Sequence, residues 1–143
     1  MNAGDSIFQT DLKGKILYAN PQSSLLLGIS PEEIQGRNYT EFVVEAYRGR
    51  VIEFFREQLQ QENSGASIEF PVLTRNGFQR WMAFQISILK TPGASQAEGI
   101  LSIGRDITER MEAEQLIRVQ HKNISDSLTY ASRIRLALQP AKT

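Results

Sequence analysis

The sequence contains no cysteine, and that absence removes several kinds of chemistry at once. Disulfide staples, thiolate metal sites, cysteine nucleophiles and cysteinyl photo-adducts are all excluded. Neither sign of charge is in excess, because 16 Lys and Arg balance 16 Asp and Glu. A protein that neutralises nucleic-acid phosphates carries a concentrated surplus of basic residues. The longest charged stretch here, Arg105 to Lys122, mixes both signs and suits a solvated helix face, so no nucleic-acid partner is expected. No apolar run reaches membrane-spanning length and Met1 to Asp5 is polar, so the segment reads as soluble, cytoplasmic and without a membrane span. Histidine occurs once, at His121, without the companions a zinc site needs. No metal site is expected. There is no Gly-rich phosphate loop and no nucleophile–base set, and the acids Glu32, Glu33, Glu112 and Glu114 fall in helical patterns. The chain is therefore not expected to be an enzyme.

What is present suits one domain followed by a tail. The chain has 143 residues, enough for a single core, with 41% hydrophobic residues. Ile7-Phe8 and Ile16-Leu17-Tyr18 flank a polar interval with Lys13-Gly14, which predicts a hairpin. Asn20-Pro21 opens a helix that Gly28 stops, and Ser30-Pro31-Glu32-Glu33 repeats the grammar of cap, first-turn proline and acids. A broken helical region then runs to about Val44. In Glu45 to Glu62 the residues Tyr47, Val51, Phe55 and Leu59 step by four, predicting the domain's longest helix. Two alternating runs follow, Ser67 to Val72 and Met82 to Ile88, with Asn76-Gly77 between them as a tight-turn signal in which both residues tolerate positive φ. Trp81 falls on the parity opposite to Phe84, so the non-core face carries a large aromatic that needs cover. Thr91 to Glu98 is a loop and Ile100 to Ile103 a last strand. From Ile107 to Leu138 neither Pro nor Gly occurs, which predicts a long helical tail ended by Pro140. Its stripe includes Ile117, Ile124 and Leu128 at imperfect heptad spacing. Strands without βαβ units imply an antiparallel sheet with helices on one face, an α+β fold.

Three patterns in order carry a resemblance: Tyr18-Ala19-Asn20-Pro21 through Gly36-Arg37, Arg75-Asn76-Gly77 through Trp81, and Gly99-Ile100 through Asp106-Ile107-Thr108-Glu109-Arg110. Together they resemble the Per-Arnt-Sim (PAS) sensory domain family. The resemblance implies a five-stranded antiparallel sheet cupping short helices, with a ligand pocket between them and a protruding C-terminal helix. It implies a sensory domain over residues 1–108 and a coiled-coil-like signalling linker over 109–143. It also implies a homodimer that passes a signal to a C-terminal effector domain. The segment Asn123 to Pro140 resembles the helical linker before sporulation-type, metal-dependent serine/threonine phosphatase domains of bacteria, which makes such a phosphatase the expected effector.

The same resemblance distributes roles. Asp106 and Thr108 stand where the family relays its signal, Asp106 capping the tail helix and pairing with a base for which Arg75 and Arg80 are the candidates. A pocket for a small molecule would be lined by Phe8, Tyr18, Leu26, Phe42, Phe55, Phe84 and Ile103, although the same aromatics would also serve simply to fill a core. Trp81, Ile117, Ile124 and Leu128 would form the dimer and linker face. Haem is not expected, because Glu45 to Glu62 contains no histidine where haem-binding relatives place their axial ligand, and cysteine-linked flavin is excluded. What ligand or cofactor would be bound is left open. The alternative is a ligand-free dimerisation and protein-interaction module.

Overall fold

In the computed structural model, which describes residues 4–122, the N-terminal segment begins as a strand held by a single asparagine. Strand β1 (Ser6–Asp11) and β2 (Ile16–Ala19) form the expected hairpin. Asn20 then caps α1 (Pro21–Leu27), and its side chain does more than cap. Its Oδ1 accepts from the Ser23 N–H at 3.0 Å and the Ile7 N–H at 2.9 Å, while its Nδ2 donates to the Asp5 carbonyl at 3.0 Å. One amide thus fixes the helix start to the first strand. Gly28 ends α1 in the left-handed region at φ 76°, where a side chain would be strained.

Ser30 caps the short α2 (Pro31–Ile34), and a 3₁₀ turn (Tyr39–Phe42) follows with a capping box between Asn38 and Glu41. The long helix is shorter than its apolar stripe suggests. A 3₁₀ turn occupies Glu45–Tyr47, and α3 proper spans Arg48–Gln61. The hairpin between β3 (Ser67–Leu73) and β4 (Gln79–Leu89) also differs in detail. Its turn closes through Gly77 N–H to the Thr74 carbonyl, and only Gly77 takes positive φ, at 82°. A longer loop with a single left-handed residue asks nothing special of Asn76. Strand β5 (Gly99–Asp106) is longer than the apolar run Ile100 to Ile103, because pairing on both sides extends it.

The sheet is antiparallel throughout, in the order β2-β1-β5-β4-β3. The chain thus forms the expected five-stranded antiparallel sheet with helices. Phe70, Val72, Met82, Phe84, Ile86 and Ile100 point inward and pack with Leu27, Ile34, Val43, Val51 and Phe55 from the helical segment. The chain divides into two units, Met1–Thr108 and Glu109–Thr143. A helix that starts at residue 108, the last of the first unit, is described as far as residue 122. We refer to it as α4. Within it Arg110 and Glu114 approach to 3.6 Å across one turn, and Leu116, Ile117 and Val119 are exposed.

A cavity and a strand-to-helix junction as the candidate functional site

Between the inner sheet face and the helical segment lies a cavity of about 490 Å³, within the usual range for small-molecule sites. Five of the residues expected to line it do so: Phe8, Leu26, Phe42, Phe55 and Phe84. Two do not. Tyr18 is on β2 opposite Gln9 and is 45% exposed, because a register shift between Gln9 and Thr10 turns Ile16 inward in its place. Ile103 lies opposite Ile7 and Gln85, at outward parity, while Ser102 faces in opposite Phe8 and Ile86. An Ile-Leu-Ser-Ile run carries no clear alternation, and the polar residue proves to be the inward one.

The lining also includes residues that sequence reasoning passed over. Thr10 and Ser102 lie on the sheet floor, Tyr39 and Val43 on the helical side, and Lys13, Arg56 and Gln60 toward solvent. The rings pack against one another: Phe70 stacks on Phe84 at 5.1 Å between centroids, and Phe8 meets Phe84 edge-on at 6.0 Å. Tyr39 meets Phe55 edge-on at 5.0 Å. Burial pushes the Tyr39 hydroxyl up to about 12, and the nearby Arg56 guanidinium pulls it back only in part. The phenol therefore stays neutral across the physiological range.

A second cluster sits where β5 runs into α4. The Arg80 guanidinium meets the Asp106 carboxylate at 2.8 Å, both groups partly exposed. The other Asp106 oxygen accepts from the Thr108 N–H at 2.9 Å, the capping contact expected of it. The Thr108 hydroxyl oxygen in turn accepts from the Trp81 N–H at 2.9 Å, and the Ile107 N–H donates to the Trp81 carbonyl at 2.8 Å. Residues 80 and 81 of β4 are thus tied to residues 106 to 108 by side chain and backbone together. Burial by itself would raise the Asp106 pKa, but hydrogen bonds from Thr108 and the charge of Arg80 outweigh it and hold the carboxyl below its usual value. Arg75, the other candidate base, is elsewhere, in the β3–β4 turn with its N–H on the Leu27 carbonyl.

The sheet, the cavity on its inner face and the strand leading into a capped helix occur together in a chain whose residues 2–112 match the family described as "PAS fold". The chain belongs to the PAS fold family. It is 28% identical over 127 residues to sporulation kinase C of Bacillus subtilis (strain 168), covering 88% of this chain and 29% of that protein. It is 25% identical over 116 residues to the sensor histidine kinase TmoS of Ectopseudomonas mendocina, covering 81% of this chain and 12% of that one. The chain therefore spans less than a third of either curated relative. Among solved structures, the PAS domain of a Colwellia psychrerythraea protein superposes with a TM-score of 0.69 at 25% identity, covering 75% of this chain and 89% of that one.

Of the residues assigned to a dimer and linker face, Trp81 is half-buried with the Tyr47 ring edge-on at 5.4 Å, so part of its cover comes from its own domain. Ile117 is 64% exposed on α4. Ile124, Leu128 and the phosphatase-type linker pattern of Asn123 to Pro140 lie outside the described residues. Among the described residues no group of three or more His, Asp or Glu could hold a metal ion, and no helix is long and apolar enough to cross a membrane.

Proposed function

We propose that this PAS domain is the sensory module of a bacterial signal-transduction protein, in which occupation of the cavity is relayed through the Arg80–Asp106–Thr108 junction to the C-terminal helix. One observation carries the reading. Strand β5 contributes Ile100 and Ser102 to the cavity and, four residues on, the carboxylate that caps the helix. A ligand that binds one arrangement of the sheet better than another biases whatever the helix is attached to, and only that difference in affinity does work. The names of the two curated relatives, a sporulation kinase and a sensor histidine kinase, support a signalling role. The module's role is regulatory, in the cytoplasm, and it acts as a homodimer with residues 109–143 as linker and the exposed apolar residues of α4 as part of the contact. The effector is a phosphatase of the sporulation type, on the pattern of Asn123 to Pro140, whereas the relatives' names point to a kinase as the competing output.

The test uses the full-length protein and measures effector turnover as a function of cavity occupancy, mimicked by Ser102→Leu. Wild type and the filled variant should differ in output. In an Arg80→Gln or Asp106→Asn background that difference should collapse while the domain stays folded. An unchanged response in both backgrounds would end the relay, and phosphotransfer from a kinase domain would replace the phosphatase. The exposed Leu116, Ile117 and Val119 favour the ligand-free dimerisation module as a second reading. A dimer whose output ignores every change in the cavity would establish it.

A further inference from the structure

Two hydroxyls on the cavity floor are placed where folding alone has no use for them. Thr10 on β1 and Ser102 on β5 are diagonal neighbours, since Thr10 pairs with Ile100 and Phe8 with Ser102. Each residue is only 7% exposed, and neither hydroxyl has a hydrogen-bond partner among the described residues. Among the described residues no fully sealed side-chain polar atom lacks a partner, so both hydroxyls open onto the cavity they line. Val and Ala would cover the same floor without a polar group, whereas these hydroxyls are left to hydrogen-bond to whatever fills the cavity, water or a ligand. The two groups are therefore better explained by what enters the cavity than by the core.

The surroundings restrict what that is. Phe8, Phe70, Phe84 and Ile100 enclose the floor with apolar surface, and the rings present faces and edges suited to a flat partner. The nearest cationic lining is at the rim: Arg56 has a side chain 60% exposed and already meets Glu53 at 3.3 Å, and Lys13 is exposed. A carboxylate set beside Thr10 and Ser102 would be desolvated without a counter-charge. We infer that the cavity takes a neutral, ring-bearing molecule whose hydroxyl or carbonyl group hydrogen-bonds to Thr10 and Ser102. This deepens the sensory reading of the cavity and rests on it.

The test is calorimetric titration of the whole chain with three probes of one shape: 2-naphthol, naphthalene and 2-naphthoate, at pH 7, where the first is un-ionised. The expected order places 2-naphthol about tenfold tighter than naphthalene, with 2-naphthoate no better than naphthalene. Thr10→Val and Ser102→Ala should each weaken 2-naphthol about fivefold and leave naphthalene unchanged. Both variants should melt no lower than wild type without ligand, which separates lost recognition from lost folding. Preference for 2-naphthoate, survival of the naphthol preference in both variants, or binding of none of the three would overturn the inference. Mass spectrometry of the purified protein distinguishes the two readings, since a co-purifying ligand of different chemistry leaves the sensory reading standing and ends this one. Binding of 2-naphthol without any change in effector output does the reverse.

Discussion

Gly104 and Asp106 lie two residues apart on β5 and make opposite demands on substitution. A Cβ at Gly104 would collide with the Phe84 ring, which could yield only by disturbing its contacts with Phe8 and Phe70. Gly104→Ala is expected to destabilise by about 1–3 kcal/mol, the usual cost of overpacking, read as a lower midpoint in urea with an unchanged slope. Gly49→Ala is the control, because its Cβ in α3 meets nothing within 4 Å and helix propensity favours alanine by about 0.5 kcal/mol or more. Asp106 responds to pH. Its folded pKa is depressed, so its stabilisation is complete above the ordinary carboxylate pKa and is lost as pH falls through the folded value. The stability gap between wild type and Asp106→Asn should therefore be constant near neutrality and shrink toward zero in acid, as thermal melts across that range will show. A gap that widened in acid would mean the carboxyl is not held in its charged form by Arg80 and Thr108.

Among the elements, the helices of the domain are set by caps of very unequal weight. Ser30 caps α2 through the Glu33 N–H at 3.3 Å on an exposed surface, so Ser30→Ala should cost about 1 kcal/mol or less. Asn20 serves α1, β1 and the segment before β1 together, and Asn20→Ala would remove the acceptor of the Ile7 and Ser23 N–H groups and the donor to the Asp5 carbonyl. A loss of about 2–3 kcal/mol is expected, with hydrogen exchange accelerating in β1 as well as in α1. Both caps are legible from the spacing of Asn20-Pro21 and Ser30-Pro31, since a polar acceptor before a first-turn proline has few other uses. The reach of Asn20 back to β1 is not legible, because no local pattern reports a contact thirteen residues away. The strand parities divide the same way. Met82, Phe84 and Ile86 alternate with Ala83, Gln85 and Ser87 and read correctly, whereas the Ile100 to Ile103 run and the shifted hairpin at Thr10 misplace Ile103 and Tyr18.

At the scale of the molecule, the inner sheet face and the helices that cover it belong to Met1–Thr108, and every residue of the core cluster precedes residue 108. A chain ended after residue 112 should therefore unfold in a single transition with a midpoint within a few degrees of the whole chain. One ended after residue 105 removes Asp106, Ile107 and Thr108, and with them the ties to Arg80 and Trp81, and should melt markedly lower. Similar melting of the two truncations would mean that the junction contributes little to the domain.

Local signals in the chain were sufficient for the order of strands and helices, their caps and the antiparallel class, whereas the pairing of Asp106 with Arg75 or Arg80 was implied only by the resemblance to the PAS family. Each of the former depends on neighbours in sequence or on a periodicity of two or four, and such information is complete before the chain folds. The cavity's floor was decided only on folding. Which side of β5 faces inward follows from its registers with β1 and β4, and these align residues 88 to 98 positions apart on one side and 10 to 24 apart on the other. That long-range alignment turned Ser102 and Thr10 toward the cavity and Ile103 away from it, and selected Arg80 over Arg75 as the partner of Asp106.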